Sequence, residues 1–415
     1  MGEERSEQWH LMQRNIVLLF LIRTSHWFFL VMPVIIPFYH ACGLSVAEIM
    51  TLQAGFSAAT LFLEIPSGYF SDVWGRRRTL IVGSLISSVG WAIYCFSSGF
   101  WPFLLAEVVM GIGQSFVSGT DSALLYDSLQ VLRKEEEYTL YEGRVSSAGN
   151  FSEALAGMIG GYLAFVSLYM PFYGQAVVSL VGLFSSFFLT EPPVSLFRHP
   201  SFPEVWKVVK DTVFRDKRLS LRIWFSSLVG SATLTMAWMA QSCFLYIHLP
   251  MKIWGGAVNL YSILWTLLNL FVGLAALKAY QADRYFGEQK LSLLIWIGVV
   301  AGFAGVGAVP NYFMLLFMFL FYGVRGIATP VLKDYIQRIT FSEIRATVLS
   351  VRNFIIRILF SCTGPLLGKI ADTWHIPSAM WVAAAFYFMT GGIILMLMDR
   401  SSSKMEQRVA DGPGD

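Results

Sequence analysis

Charged side chains are scarce in this chain: Asp, Glu, Lys and Arg make up 14% of its 415 residues, whereas apolar residues make up 55%. So few charges could not cover the surface of a water-soluble protein of this length. The net charge of +3 gives no indication of a nucleic-acid partner. Cysteine is also rare, and its four copies lack metal-ligand spacing, so we expect neither a metal nor a cofactor. The composition therefore predicts a protein whose main partner is a lipid bilayer.

Apolar runs of about 20 residues, the length that crosses about 30 Å of hydrocarbon as a helix, recur along the chain. Because lipid offers the backbone no hydrogen-bond partners, each run is predicted to be helical. The twelve predicted spans are 15–40, 46–71, 79–98, 102–128, 143–166, 172–190, 220–247, 258–280, 291–310, 311–335, 347–371 and 378–398. The predicted fold class is an all-α integral membrane protein with twelve transmembrane helices.

Basic residues crowd into alternate loops, which by the positive-inside rule predicts that both termini are cytoplasmic. A polar stretch that begins at Glu191-Pro192-Pro193 divides the spans into two sets of six. We predict a multi-pass protein of the inner (plasma) membrane with five regions. These are a cytoplasmic N-terminus (1–14), an N-terminal six-helix half (15–190), a cytoplasmic linker (191–219), a C-terminal six-helix half (220–398) and a cytoplasmic tail (399–415).

The loop between spans 2 and 3 has a distinctive pattern, in which Gly68 and Asp72 are followed by Gly75, Arg76 and Arg77. A weaker copy of this loop falls between spans 8 and 9, and small residues of span 5 recur at a constant offset in span 11. The residues of these two copies are Asp283 and Gly287 in the loop, Gly157, Gly160 and Gly161 in span 5, and Gly364, Pro365 and Gly368 in span 11. Repeated halves around a central site are common in secondary transporters.

The loop pattern resembles that of the major facilitator superfamily of secondary transporters, and the resemblance extends from the first span to the twelfth. It implies that Gly68 makes a tight helix exit and that Asp72 contacts the neighbouring half. It also implies that Arg76 and Arg77 bind the cytoplasmic surface and keep the halves closed there. Val73 stands where a basic residue is usual in the family.

Two spans indicate different subclasses of that family. In its proton-coupled antiporters span 5 carries a glycine-proline signature, of which this chain keeps the small residues but not the proline. Plain helix packing is the alternative role for these small residues. In span 4, Glu107 stands where drug-exporting members have an arginine, which is evidence of a different kind of substrate or coupling.

Ionisable residues inside spans are costly and are therefore candidates for function. The first half contains the acids Glu64, Glu107, Asp121 and Glu153 together with Arg23 and His26, and the second half contains Arg325, Arg352 and Arg357. We predict that the acids carry protons, with Glu153 the first choice and Glu64 the second. On one continuous helix, Glu107 and Asp121 would lie near the same face and mark the two ends of a path.

The arginines have two open interpretations. They either meet an anionic substrate group, or they form salt bridges with the acids that protonation switches off. A purely structural alternative is that Arg23 or an arginine of span 11 pairs with Glu64. Arg352 and Arg357 point in different directions on a helix, so one of them is predicted to be structural.

The chain has no Gly-x-Ser-x-Gly, no His-Glu-x-x-His and no phosphate-binding glycine loop followed by Lys, so we do not expect an enzyme. We expect a monomeric, proton-coupled secondary active transporter that moves a small organic solute by alternating access, with a slight preference for efflux. Two alternatives stay open: a proton-linked transporter of an anionic metabolite, and a non-transporting sensor built on a transporter fold.

Overall fold

A computed structural model describes residues 2–134, 137–193, 216–253, 258–340 and 345–410. The first eight helices are α1 (Gly2–Trp27), α2 (Ile35–Ala41), α3 (Val46–Trp74), α4 (Arg76–Phe96), α5 (Phe100–Val117), α6 (Thr120–Val131), α7 (Tyr138–Leu163) and α8 (Met170–Phe187). They are followed by α9 (Lys217–Tyr246), α10 (Leu260–Leu277), α11 (Ala279–Ala308), α12 (Met314–Gln337), α13 (Arg345–Thr373) and α14 (Ile376–Ala410). Two short antiparallel strands, β1 (Lys252–Ile253) and β2 (Val258–Asn259), precede α10.

Ten helical segments of the described ranges are long and apolar enough to cross a membrane. They correspond to the predicted spans other than the first and the fifth, and they confirm an all-helical membrane fold. The first predicted span is broken, because α1 ends at Trp27 and α2 begins only at Ile35. Pro33 lies in this break and lacks the backbone N–H that a continuous helix needs. The fifth lies in α7, which carries Glu153.

The fourth predicted span is also interrupted. Helix α5 ends at Val117 and α6 begins at Thr120, with Gly119 between them at a φ of +81°. This left-handed conformation is open to glycine and unfavourable for most other residues. The prediction of one continuous helix is therefore wrong here, and the shared face deduced for Glu107 and Asp121 does not apply across the break.

Helix α3 begins at a capping box, in which the Glu48 amide donates to Ser45 Oγ at 3.2 Å and the Ser45 amide donates to Glu48 Oε2 at 2.8 Å. The helix continues through Gly68 to Trp74, so the helix exit implied for Gly68 is wrong. The exit is at Gly75, whose φ is +94°. Gly287, in the second copy of the loop, has a φ of +70° and breaks the helical path of α11 in the same way.

The chain forms two compact units, one of residues 1–199 with 250–266 and one of residues 200–249 with 267–415. The first unit has a buried cluster that includes Leu19 of α1, Leu80 of α4 and Leu124 of α6. The second unit has a buried cluster that includes Ile223 of α9, Ile336 of α12 and Val348 of α13. Each unit therefore has an apolar core of its own. Residues 194–215 of the predicted linker lie outside the described ranges.

Candidate functional site

The loop between α3 and α4 is held by two acids of the first unit. Arg76 Nε donates to Asp127 Oδ2 at 2.5 Å. The backbone amides of Arg76 and Arg77 donate to the two carboxylate oxygens of Glu191 at 2.7 and 2.8 Å, and Arg77 Nη2 donates to the Phe187 carbonyl at 2.9 Å. A carboxylate at the N-terminus of α4 is favoured by the helix dipole. The loop is thus fastened to α6 and to the end of α8.

The sequence predicted a role for Asp72 in this loop but none for Glu191, which follows α8. The side chain of Asp72, which the resemblance places against the neighbouring half, lies outside the described part of the chain. Glu191 was interpreted from the sequence only as the end of span 6, so its role as a cap was missed. Glu191 and the Arg76 amide that it accepts from are 115 residues apart in the chain, and no local sequence pattern connects them.

The second copy of the loop has its own set of ion pairs. Tyr335 donates to Asp283 Oδ1 at 2.5 Å and Arg338 Nη2 donates to Asp283 Oδ2 at 2.7 Å. The hydrogen bond to Asp283 holds the pKa of the Arg338 guanidinium above its usual value. Arg222 of α9 makes a bidentate contact with Glu288, next to Gly287, at 2.5 and 2.9 Å.

Inside the first unit, Arg23 of α1 makes a salt bridge with Asp121 at the start of α6 and also donates to Ser122 Oγ. The exposed fractions of the Arg23 and Asp121 side chains are only 13% and 12%. His26 lies on the same helix as Arg23, close enough to interact electrostatically with Asp121. Asp121 is thus a described partner of Arg23, and the predicted pairing of Arg23 with Glu64 stays a prediction.

Glu107 of α5 lies in a separate polar cluster and is 4% exposed. The Gln53 amide nitrogen and the Tyr94 hydroxyl each donate to Glu107 Oε1 at 2.8 Å, and the Tyr39 hydroxyl lies 3.1 Å from the same oxygen. The two tyrosine oxygens are 2.6 Å apart, within hydrogen-bond distance of each other. Four helices, α2, α3, α4 and α5, therefore meet at one carboxyl group whose described hydrogen-bond partners are neutral.

The other predicted proton carriers and one predicted arginine occupy intermediate positions. Glu64 of α3, Glu153 of α7 and Arg357 of α13 are half-buried, whereas Arg352 is 6% exposed. Glu107 and Asp121 belong to different hydrogen-bonded clusters, so the structure does not bring them together.

The small residues of α7 pack against other parts of the first unit. A Cβ on Gly160 would overlap the Leu30 carbonyl oxygen, and one on Gly161 would overlap the Ser262 side chain. A Cβ on Gly157 would lie 3.6 Å from Cγ of Pro33, which is ordinary van der Waals contact. In the second unit, Gly364, Pro365 and Gly368 lie on α13, and a Cβ on Gly364 would lie 3.3 Å from Phe360 of the same helix, so this contact is not an approach between helices. The close approaches at Gly160 and Gly161 support the packing interpretation of the small residues of α7.

A cavity of about 270 Å³ lies within the second unit, between α9, α12 and α13. Its basic lining residues are Arg325, Lys333 and Arg352. The remaining lining residues are small, polar or apolar: Val229, Gly230, Thr233, Leu234, Ala237, Ala328, Thr329, Leu332 and Ile356. Among the residues that the structure describes, no carboxylate forms a salt bridge with any of the three basic groups.

Arg352 is held in place by neutral groups. Its Nε donates to Ser226 Oγ at 2.6 Å and its Nη1 donates to Asn353 Oδ1 at 3.2 Å. Its Nη2 lies 3.5 Å from the position that a Cβ on Gly230 would take, and Gly230 lines the cavity. The guanidinium therefore presents one nitrogen towards the cavity while the other two are fixed by hydrogen bonds.

Lys333 is a lining residue that sequence reasoning missed. It was assigned to the basic cytoplasmic loops because it lies near the end of a predicted span. The available signal was the spacing of Arg325, Thr329 and Lys333, which are four residues apart and therefore share one face of α12.

Known proteins with related sequences identify the family. A family model for the Major Facilitator Superfamily matches residues 16–279. The chain belongs to this superfamily. The ten described helical segments that are long and apolar enough to cross a membrane agree with this membership.

Superfamily relatives are distant in sequence. The chain is 24% identical over 280 residues to the MFS-type transporter criB of Aspergillus cristatus, a match that covers 65% of this chain and 58% of that protein. It is 24% identical over 164 residues to the quinolone resistance protein NorA of Staphylococcus aureus, covering 40% of this chain and 41% of NorA. The chain thus spans well under two thirds of the length of each of these relatives.

Solved structures of superfamily members share the fold. The nucleoside transporter NupG superposes with a TM-score of 0.75 at 15% identity, covering 93% of this chain and 98% of NupG. A D-xylose-proton symporter superposes with a TM-score of 0.71 at 13% identity, covering 93% and 97%. These likenesses support the major facilitator fold alone, because one fold serves many substrates.

Proposed function

We propose that this chain is a proton-coupled secondary active transporter that moves a small organic solute across the plasma membrane by alternating access. The observation that carries the proton coupling is the salt bridge of Arg23 with Asp121 in the first unit. A carboxylate that is nearly buried beside one arginine can exist in two charge states, and a proton decides between them.

Protonation of Asp121 would cancel its attraction for Arg23. Arg23, which is nearly buried, would then lose the ion pair with Asp121, and such a loss is unfavourable for a nearly buried charge. A conformation in which Arg23 finds water or another acceptor would gain population. Glu153, the first choice from the sequence, is retained as the second candidate proton carrier because it is half-buried in α7, followed by Glu64.

We retain the slight preference for efflux. It is supported by the sequence likeness to the quinolone resistance protein NorA. We also propose the domain limits 15–190 and 220–398, cytoplasmic termini and a monomer, as the sequence predicts.

The second candidate function is proton-linked transport of an anionic metabolite. The basic cavity between α9, α12 and α13 favours it, because three positive groups face a space without a described carboxylate partner. In this case the arginines would meet the substrate rather than the acids of the first half.

Proteoliposomes with an imposed pH gradient test both candidates. Addition of a lipophilic cation such as tetraphenylphosphonium or ethidium, or of an organic anion such as benzoate, would dissipate the gradient in wild-type vesicles if that class is transported. We expect the response to be lost in Asp121→Asn and kept in Glu7→Gln, which removes an exposed acid of α1.

The pattern of responses identifies the outcome. If Glu153→Gln abolishes the dissipation of the pH gradient and Asp121→Asn does not, Glu153 is the proton carrier and Asp121 is not. A solute flux that is unaffected by collapse of the pH gradient would refute proton coupling.

A further inference from the structure

We propose that the cavity between α9, α12 and α13 is a binding site for a small amphipathic organic anion, held by Arg325, Arg352 and Lys333. The inference deepens the second candidate function and rests on the proposed transport function for the biological role of that anion. The binding itself needs no gradient and can be measured separately.

The first argument is charge. Arg325, Lys333 and Arg352 line one cavity, and Lys333 and Arg352 lie close enough for their charges to repel each other. In the described part of the chain the salt bridges join other residues. Arg352 is buried, Arg325 is half-buried and Lys333 is exposed, so the cost of grouping these charges falls mainly on Arg352 unless an anion accompanies it. A ligand with a negative charge would remove this repulsion.

The second argument is geometry. Ser226 and Asn353 fix two nitrogens of Arg352, so the side chain cannot turn away from the cavity without losing both hydrogen bonds. The third nitrogen lies 3.5 Å from the position that a Cβ on Gly230 would take, and both Gly230 and Ile356 line the cavity. Arg325 is oriented by the ring of Tyr322, whose centroid lies 5.5 Å from its guanidinium carbon. Preorganised donors of this kind suit a carboxylate or phosphoryl group.

The third argument is size and the character of the walls. The cavity volume of about 270 Å³ lies just below the range of about 300–1,000 Å³ that is usual for sites of organic ligands. Apolar side chains from all three helices, such as Leu234, Leu332 and Ile356, complete the lining. The site therefore suits a compact anion with an apolar body, for which benzoate is a simple probe, better than a large drug.

A bilayer could supply the same chemistry through the phosphate of an anionic lipid. We commit to a soluble anion, because apolar walls on three helices and a small volume suit a compact apolar body joined to the charge. The lipid source becomes an outcome of the test.

The test is equilibrium binding of radiolabelled benzoate to the purified full-length chain in phosphatidylcholine nanodiscs. Unlabelled benzoate is expected to displace the label, whereas benzamide, its neutral counterpart, is not. Arg325→Gln and Arg352→Gln are each expected to raise the dissociation constant about tenfold or more, the loss expected for a charge-assisted hydrogen bond. Lys369→Gln, which removes an exposed charge from the same helix as Arg352, is expected to leave it unchanged.

Three results would overturn the proposal. If benzamide displaces the label as well as benzoate does, the negative charge is not needed for binding. If Lys369→Gln weakens binding as much as Arg352→Gln does, the cavity is not the binding site. Loss of benzoate binding when phosphatidylglycerol is added to the nanodiscs would assign the site to a lipid headgroup. If Arg352→Gln does not fold, Lys333→Gln and Arg325→Gln keep the comparison, since neither residue has a described hydrogen bond from its charged group. Failure of proton coupling would leave benzoate binding intact, so the two proposals can fail independently.

Discussion

The two units treat buried charge differently. In the first unit each buried acid has donors from another helix: Glu107 has Gln53 and Tyr94, Asp121 has Arg23, and Asp127 has Arg76. In the second unit the buried Arg352 has only neutral described partners, and Arg325 and Lys333 share its cavity. The buried acids of the first unit thus have described donors, whereas the basic residues around the cavity of the second unit have no described carboxylate partner.

The largest expected effect is that of Asp121→Asn. It leaves Arg23 nearly buried without its carboxylate, which costs about 3–5 kcal/mol when one partner of a buried ion pair is removed. Unfolding in mixed micelles of dodecyl maltoside and sodium dodecyl sulfate measures this loss. The double variant with Arg23→Gln is expected to recover part of it, because no charge is then left alone. A stability of Asp121→Asn equal to that of wild type would show that the fold does not depend on this pair.

The next effect compares the two loop glycines. Gly75→Ala and Gly287→Ala each place a Cβ at a positive φ, which costs about 1–2 kcal/mol. Only Gly75 faces an acid, because its Cβ would lie 3.0 Å from the Glu191 carboxylate that caps α4. We expect Gly75→Ala to lose about 1 kcal/mol more than Gly287→Ala, owing to the weakened cap. The same unfolding measurement gives the difference, and equal losses would contradict the role assigned to Glu191.

Glu107→Gln is expected to have a smaller effect. The amide keeps an oxygen that can accept from Tyr94 and Gln53, so the loss should be about 1 kcal/mol, the net value of one hydrogen bond. Glu107→Leu is the sharper contrast, since it leaves both donors buried without an acceptor. Its unfolding free energy should fall by at least twice as much. Equal losses in the two variants would mean that packing, and not hydrogen bonding, sets the role of Glu107.

The smallest expected effect on stability is that of Arg352→Gln in the absence of ligand. Its two hydrogen bonds are lost, but so is the repulsion from Lys333, so the unfolding free energy should change by no more than about 1 kcal/mol. A small change in unfolding free energy for Arg352→Gln beside a large one for Asp121→Asn would show that the two units differ in how buried charge is compensated. A loss as large as that of Asp121→Asn would mean that the fold compensates Arg352 after all.

Features that depend on the local sequence of a single helix were largely predictable. Apolar runs predicted most of the spans. The loop between spans 2 and 3 was also predicted, but its helix exit was placed at Gly68, whereas the helix ends at Trp74, before Gly75. The interruptions near Pro33 and Gly119 also have local signals, namely the proline and the glycine themselves. They were overlooked because each lies within an apolar run that was counted as one span.

The parts that depend on contacts between distant segments were not predictable. Glu107 has the same sequence signal whether it faces water, lipid or tyrosines, and only the packing of α2 and α4 on α5 selects the tyrosines. Glu191 caps a helix that begins more than a hundred residues earlier. Lys333 lies near a span end, where the positive-inside rule also accounts for a basic residue, so its spacing from Arg325 did not by itself indicate a cavity.

The most direct measurement is a cryo-EM map of the full-length chain with bound 4-iodobenzoate, whose iodine marks the ligand. We expect the carboxylate between Arg325 and Arg352, within hydrogen-bond distance of Arg352 Nη2, and the iodine against the apolar wall formed by Leu234 and Ile356. Ligand density at Arg23 and Asp121, or an unoccupied α9–α12–α13 cavity at a saturating concentration, would contradict the assignment of the second unit as the anion-binding one.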